Sequence, residues 1–323
     1  FINRQTRIAK RRETGAGKLG KSKLMIPGEF DYRRPATKSE ALEMLAEGGD
    51  SARPIAGGHS LIPMMKLRMA APALLIDIRR LQELRGIKIG GDICIGTAVT
   101  QHELIASEEL AQACPIIRET ALLIADPQIR YLGTLGGNVG NGDPGNDMPG
   151  LMQCLDATYI LENSSGVREV KARDFYQGAY FTQLEAGEII SGIRFKRPAC
   201  GHGFSYQKLK RKVGDYAMAA AAVIVEISDD TVKAASIGLT NLADTPLYAS
   251  DAADALVGKK LDSNTVSAAV RAVEAIVTPA GDSRCPADYR IKMAGVMVRR
   301  ALETAASRAD TSKAKGIFGW LKS

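Results

Sequence analysis

The sequence predicts an α+β protein of two or three units, and three observations predict it. Its 323 residues exceed one ordinary domain of ~100–200 residues. Up to about residue 200, short aliphatic strand segments alternate with capped helices. From about residue 201 the texture changes to three β-rich runs followed by three helical ones.

Residues 1–24 hold eight Lys and Arg residues against Glu13 alone, which accounts for the whole net charge of +7. They lack a sustained apolar period and are read as a basic tail, disordered or non-native, with a mitochondrial-type presequence as the minor alternative. A normal domain start follows at Met25. Thr37 with Glu40 forms a capping box ahead of Ala41, Leu42, Leu45 and Ala46, and Gly48-Gly49 ends that helix. Residues 53–56 and 73–78 read as strands, and the first runs directly into Gly57-Gly58.

A second capping box, Thr100 with Glu103, opens a helix through Leu110, and residues 116–125 continue with helical apolar spacing. Between Gly133 and Gly150 lie seven glycines together with Pro144 and Pro149, which predicts a long shaped loop. Strand character resumes over 157–161, 167–172 and 188–195. Beyond it, 204–209, 219–227 and 232–239 read as successive antiparallel strands, with Ser228-Asp229-Asp230 as a hairpin turn. Helices are expected over 250–256, 264–277 and 287–306. The expected division is 1–24 tail, 25–77 N-terminal subdomain, 78–200 central subdomain, 201–309 C-terminal α+β domain and 310–323 tail.

Composition excludes several functions. With the basic tail set aside the chain is formally neutral, so it presents no basic face for nucleic acid. The five cysteines are far apart and none has metal-ligand spacing, so no iron–sulfur or zinc site is expected within this chain. An odd cysteine count without a signal peptide or long apolar span fits the cytoplasm. No catalytic Ser–His–Asp pattern or His/Asp/Glu cluster offers a reaction centre of its own.

The chemistry concentrates in two glycine segments. Ala56-Gly57-Gly58-His59-Ser60 follows a strand, and paired glycines let backbone N–H groups point at one place, a concavity suited to phosphate oxygens. Thr134-Leu135-Gly136-Gly137-Asn138 repeats the device and runs on to Asn141-Gly142-Asp143-Pro144-Gly145-Asn146-Asp147, which adds amides and carboxylates for sugar hydroxyls. Two such segments can clamp one dinucleotide. Neither is G-x-G-x-x-G and no Walker A sequence is present, so Rossmann and P-loop sites are disfavoured.

Together the two segments resemble the paired FAD signature of the flavin subunits of molybdenum hydroxylases, the family of xanthine dehydrogenase and aerobic carbon monoxide dehydrogenase. The resemblance is stronger to the medium-subunit family of molybdenum–copper carbon monoxide dehydrogenases. It includes Met25-Ile26-Pro27-Gly28 and the runs AGGHSLIPMMKLR (56–68), ADPQIRY (125–131), NGDPGNDM (141–148), LKRKVGDY (209–216) and ADYRIKMAGVMVR (287–299). It covers about 25–309.

The resemblance implies a two-part FAD-binding region of the vanillyl-alcohol-oxidase or PCMH type followed by the C-terminal α+β domain. It implies that Ala56, Gly57, Gly58, His59, Ser60, Thr134, Leu135, Gly136, Gly137 and Asn138 hold the pyrophosphate and adjoining groups. Asp147 would lie near the ribityl chain, and Tyr216 over the isoalloxazine. The FAD is expected to be non-covalent, although Gly-Gly-His also resembles a covalent flavin-attachment loop. A large subunit with a molybdenum–copper centre and a small subunit with two [2Fe–2S] clusters are the implied partners, in a dimer of heterotrimers. Electrons would enter singly from a cluster and leave to a quinone.

Alternatives are the FAD subunit of another molybdenum hydroxylase, acting on an N-heterocycle or aldehyde, and a self-sufficient flavin oxidase. The bland readings of other residues are a surface His102, a His202 in a turn, and a solvated basic run of Lys208, Lys210, Arg211 and Lys212 that would alternatively dock a partner. The tail 313–322, with the only Trp among lysines, has the composition of a segment lying on an anionic membrane at its inner face, although an untidy terminus is the simpler reading.

Overall fold

A computed structural model describes residues 25–309. The readings of 1–24 and of 313–322 lie outside the described residues.

The first unit comprises β1 (Asp31–Arg33), α1 (Lys38–Gly48), β2 (Ala52–Ile55), α2 (Leu61–Lys66) and β3 (Leu74–Asp77). Its sheet is parallel in the order β1-β3-β2. Parallel neighbours need crossover connections, which α1 and α2 supply. Thr37 caps α1 as expected, its side chain accepting from Glu40 N at 3.2 Å. Ala41, Leu42 and Leu45 on one face pack with Ile76 and Ile78 in a small core.

The second unit opens with the hairpin β4 (Ile87–Ile89) and β5 (Asp92–Gly96). Six helices follow: α3 (Gln101–Ala106), α4 (Glu108–Ala113), α5 (Pro115–Leu123), α6 (Pro127–Leu132), α7 (Leu135–Gly140) and α8 (Asp147–Cys154). Then come β6 (Thr158–Asn163), β7 (Gly166–Lys171), α9 (Ala172–Phe175), β8 (Tyr176–Gly178), β9 (Phe181–Thr182) and β10 (Ile189–Lys196). Five strands form an antiparallel sheet, β4-β5-β10-β6-β7. Alternate residues Ile93, Ile95, Tyr159, Leu161, Ile193 and Phe195 face the helices and join Leu104, Ile116 and Leu151 in the largest core.

The third unit is the meander β11 (Gly203–Leu209), β12 (Ala219–Ser228), β13 (Thr231–Thr240) and β14 (Leu247–Tyr248), covered by α10 (Ser250–Asp254), α11 (Ser263–Ile276) and α12 (Ala287–Ala309). Asp229 and Asp230 have φ of 52° and 58°, the left-handed pair that a two-residue hairpin demands. Two glycines allow close packing, one within this unit and one between it and the second. A Cβ on Gly203 would stand 2.0 Å from Ala305 O of α12, and one on Gly238 would stand 2.1 Å from Gly150 O of α8. Glu119 of α5 then ties the third unit to the second, accepting from Tyr206 N at 2.7 Å and pairing with Arg308 at 2.5 Å.

The expected loop over 133–150 requires correction, because α7 and the start of α8 lie inside it. Glycine's low helix propensity is overridden by tertiary packing. Thr134 caps α7 by accepting from Gly137 N at 3.0 Å, and the glycines permit approaches that no side chain would allow. The β4–β5 hairpin, α2, α6 and the β8–β9 ribbon were not anticipated. Their strands are only two to five residues long, so no period could develop.

Candidate functional site

A cleft of about 870 Å³ opens where the three units meet, at the upper end of the ~300–1,000 Å³ usual for small-molecule sites. Its walls come from 52–61, from 124–147, from 180–190 and from 214–216. Eleven of the twelve residues singled out from the sequence line it. Leu135 is the exception: its side chain is fully buried in the core, and its amide donates to Val99 O at 2.8 Å.

The two glycine segments meet backbone to backbone. A Cβ on Gly57 would lie 2.4 Å from Leu132 O and 2.8 Å from Gly133 Cα, the residues that lead into Thr134. Gly136 is pressed as closely on Thr97, where a Cβ would fall 1.4 Å from the hydroxyl. Thr100 and Thr134 form an isolated antiparallel bridge across the same seam. Contact this tight fixes the segments relative to each other as one surface.

Their chemistry differs, however. Among the described residues, no group accepts from the amides of Gly57, Gly58, His59 or Ser60, and Gly58 adopts φ 72°, so this turn offers free donors. The expectation of a second set of free amides is corrected: Gly136 N donates to Thr97 O, Gly137 N to Thr134 Oγ1 and Asn138 N to Thr134 O. Those amides are consumed in starting α7. What this segment contributes is a side-chain-free wall, together with Asn138, whose Oδ1 accepts from Met148 N at 3.2 Å.

Asp147 begins α8 and is 4% exposed, with Oδ2 paired to Lys208 Nζ at 2.7 Å and Oδ1 accepting from Tyr206 O–H at 2.7 Å. Burial pushes its carboxyl up, while the ammonium and the phenol oppose that. Lys208 also donates to Leu123 O at 3.1 Å. The reading of 208–212 as a solvated basic run is therefore corrected at Lys208, whose side chain is 1% exposed, whereas Arg211 and Lys212 are exposed. Parity carried the signal: Lys208 lies two residues from the buried Tyr206 on β11, so both share a face.

Tyr216 stands at the mouth, 47% exposed and packed against Gly145. Tyr180, which also lines the cleft, holds φ 61° and donates its hydroxyl to Asp143 at 3.0 Å. Burial and the adjacent carboxylate push the Tyr180 phenol up to about 12. His59 is exposed at the cleft. His102 stacks near Tyr131 with centroids 4.1 Å apart, and His202 lies in its turn with Nδ1 2.7 Å from Ala199 O. Sequence reasoning missed Gln101, a buried amide lining the cleft, and the aromatic pair Tyr180–Phe181. No group of metal-ligating residues occurs among the described residues.

One turn of free amides, a wall that excludes Cβ atoms and a long cleft between units define a dinucleotide-binding protein. Residues 28–197 match the FAD binding domain in molybdopterin dehydrogenase, and 204–305 the CO dehydrogenase flavoprotein C-terminal domain. The chain is 58% identical to a carbon monoxide dehydrogenase medium chain of Afipia carboxidovorans over 88% of its own length and 99% of that relative. Among solved structures it is similar to reconstituted CO dehydrogenase from Oligotropha carboxidovorans, at 58% identity and TM-score 0.87, covering 88% of this chain and 100% of that one. It is also similar to quinoline 2-oxidoreductase from Pseudomonas putida, at 34% identity and TM-score 0.84, with 88% and 99% covered. The chain belongs to the family of FAD-binding subunits of molybdopterin dehydrogenases.

Proposed function

We propose that this chain is the flavoprotein subunit of a carbon monoxide dehydrogenase, binding FAD in the cleft and relaying electrons that a partner subunit withdraws from carbon monoxide. The observation that carries this reading is the meeting of both glycine segments on one cleft, in a chain 58% identical along its described length to a carbon monoxide dehydrogenase medium chain. Bound FAD supplies the exchange between one-electron and two-electron carriers.

The chain's own residues bind and orient. The amides of Gly57, Gly58 and His59 and the Ser60 hydroxyl would hold pyrophosphate oxygens. Gly136 and Gly137 let the dinucleotide lie against α7, Thr134 and Asn138 border it, and Asp147 with Lys208 faces its ribityl side. Tyr216 would cover the ring and control what reaches it. His59 would remain unbonded to the flavin, so acid precipitation should leave the colour in the supernatant. Partners are a large molybdenum–copper subunit and a small subunit with two [2Fe–2S] clusters, in a dimer of heterotrimers. The acceptor is a quinone, reached at the inner membrane face by peripheral association; no described helix is long and apolar enough to cross a membrane.

The test is the purified assembly against the isolated chain. The assembly should contain FAD, molybdenum, copper and iron and oxidise carbon monoxide. The isolated chain, given FAD and an artificial acceptor, should not. Turnover by the isolated chain overturns the relay reading and favours a self-sufficient oxidase. The likeness to quinoline 2-oxidoreductase favours a second reading, a subunit serving an N-heterocycle or aldehyde hydroxylase. Mass spectrometry of the co-purifying large chain separates the two.

A further inference from the structure

Gln101 is the first residue of α3 and is 1% exposed. Its backbone is engaged, N–H donating to Gly133 O at 2.8 Å. Its side chain is not: both Nε2 and Oε1 are buried without a partner. Among the described residues, other side chains also have orphaned buried polar atoms, but only Gln101 among them lines the cleft.

Its position is at the seam. Gly133, which takes its N–H, is the residue whose Cα packs on Gly57, and the preceding Thr100 bridges to Thr134. Thr97, four residues earlier, backs Gly136. An amide held here with both ends unmet is costly to the empty chain, since buried polar groups are ordinarily paired. It needs something that accepts and donates side by side.

We infer that Gln101 is a recognition residue for the bound dinucleotide, its Nε2–H donating to a pyrophosphate oxygen and its Oε1 accepting from an adjacent sugar or ribityl hydroxyl. The inference rests on the FAD reading above. A pyrophosphate flanked by hydroxyls is the part of the molecule that presents both roles together, and the seam of two glycine segments is where a backbone-lined surface can approach it. A carboxylate at this position would repel the phosphates, and an aliphatic group would leave them one donor short.

The test uses the full chain, stripped of flavin and titrated with FAD, in the wild type and in Gln101→Leu and Gln101→Glu. Gln101→Leu should weaken FAD binding roughly 10- to 100-fold, as loss of a hydrogen bond to a charged group does. Gln101→Glu should weaken it more. Meanwhile the flavin-free Gln101→Leu chain should melt no lower than wild type, because an orphan amide has been removed. A purely structural glutamine would give the reverse pattern, a lower melting temperature with unchanged affinity. Nuclear magnetic resonance of the wild-type Gln101 side-chain amide supplies a readout independent of any variant: its protons should shift and exchange more slowly when FAD is added. Unchanged affinity in Gln101→Leu, or an amide blind to FAD, overturns the inference and leaves the group holding water only. Failure of the wild type itself to bind FAD would instead remove the reading beneath it.

Discussion

Gly57→Ala tests the junction on which the cleft depends. The new methyl would stand 2.4 Å from Leu132 O and 2.8 Å from Gly133 Cα, well inside the 3.0 Å that real Cβ contacts respect. Both obstacles are backbone, so no rotamer change relieves the overlap and the two segments must separate. Overpacking of this kind costs about 1–3 kcal/mol. At ~2–4 °C per kcal/mol for a unit of this size, the flavin-free chain should melt roughly 2–12 °C lower. Separation also spoils the shared surface, so FAD affinity should fall by at least about tenfold, equivalent to ~1.4 kcal/mol. Calorimetry of the stripped chain and a flavin titration measure the two effects. Gly91→Ala is the control, since nothing lies within 4 Å of its Cβ position and its φ is not left-handed. If Gly57→Ala melted and bound FAD like Gly91→Ala, the convergence of the two segments would have no energetic meaning.

Lys208→Met should destabilise the chain by about 3–5 kcal/mol near neutral pH, because Asp147 is left buried without its cation. A carboxyl whose folded pKa is raised makes stability fall as pH rises from the ordinary carboxylate range through the folded value, so the deficit should shrink on acidification and in the double variant with Asp147→Asn; denaturant melts across pH report it. Tyr216→Ala should weaken FAD roughly two- to tenfold, the range of an aromatic stacking contact, and raise the fluorescence of the bound flavin. Thr100→Ala, which removes the hydroxyl accepting from Glu103 N, should cost about 1 kcal/mol in a denaturant melt.

Local signals were legible in the sequence and tertiary ones were not. The capping box at Thr100, the N-cap of Thr37 and the Asp229-Asp230 turn need only neighbouring residues, and all three form, although Glu40 accepts from Ala36 N and so leaves the box at Thr37 half made. The glycines of 133–150 were legible as a shaped surface but not as helices, because what compensates their poor propensity is contact with Thr97 and Thr240, remote in sequence. For the same reason the amides of 135–138 could not be recognised as spent. Lys208 was recoverable from strand parity and was hidden by its basic neighbours. Gln101 carried no signal at all, since an amide is orphaned only by the absence of partners in three dimensions.

Two of the three hydrophobic cores cross unit boundaries, the largest taking in Tyr206, Ala220 and Ala222 of the third unit and the smallest Ala98 and Ile189 of the second, and none encloses the cleft by itself. The units are thus joined by shared apolar contacts that involve no ligand, which leaves a finished shell with an open seam. A dinucleotide entering late acts as a keystone, adding about 2.7 kcal/mol when free ligand stands at a hundred times its dissociation constant.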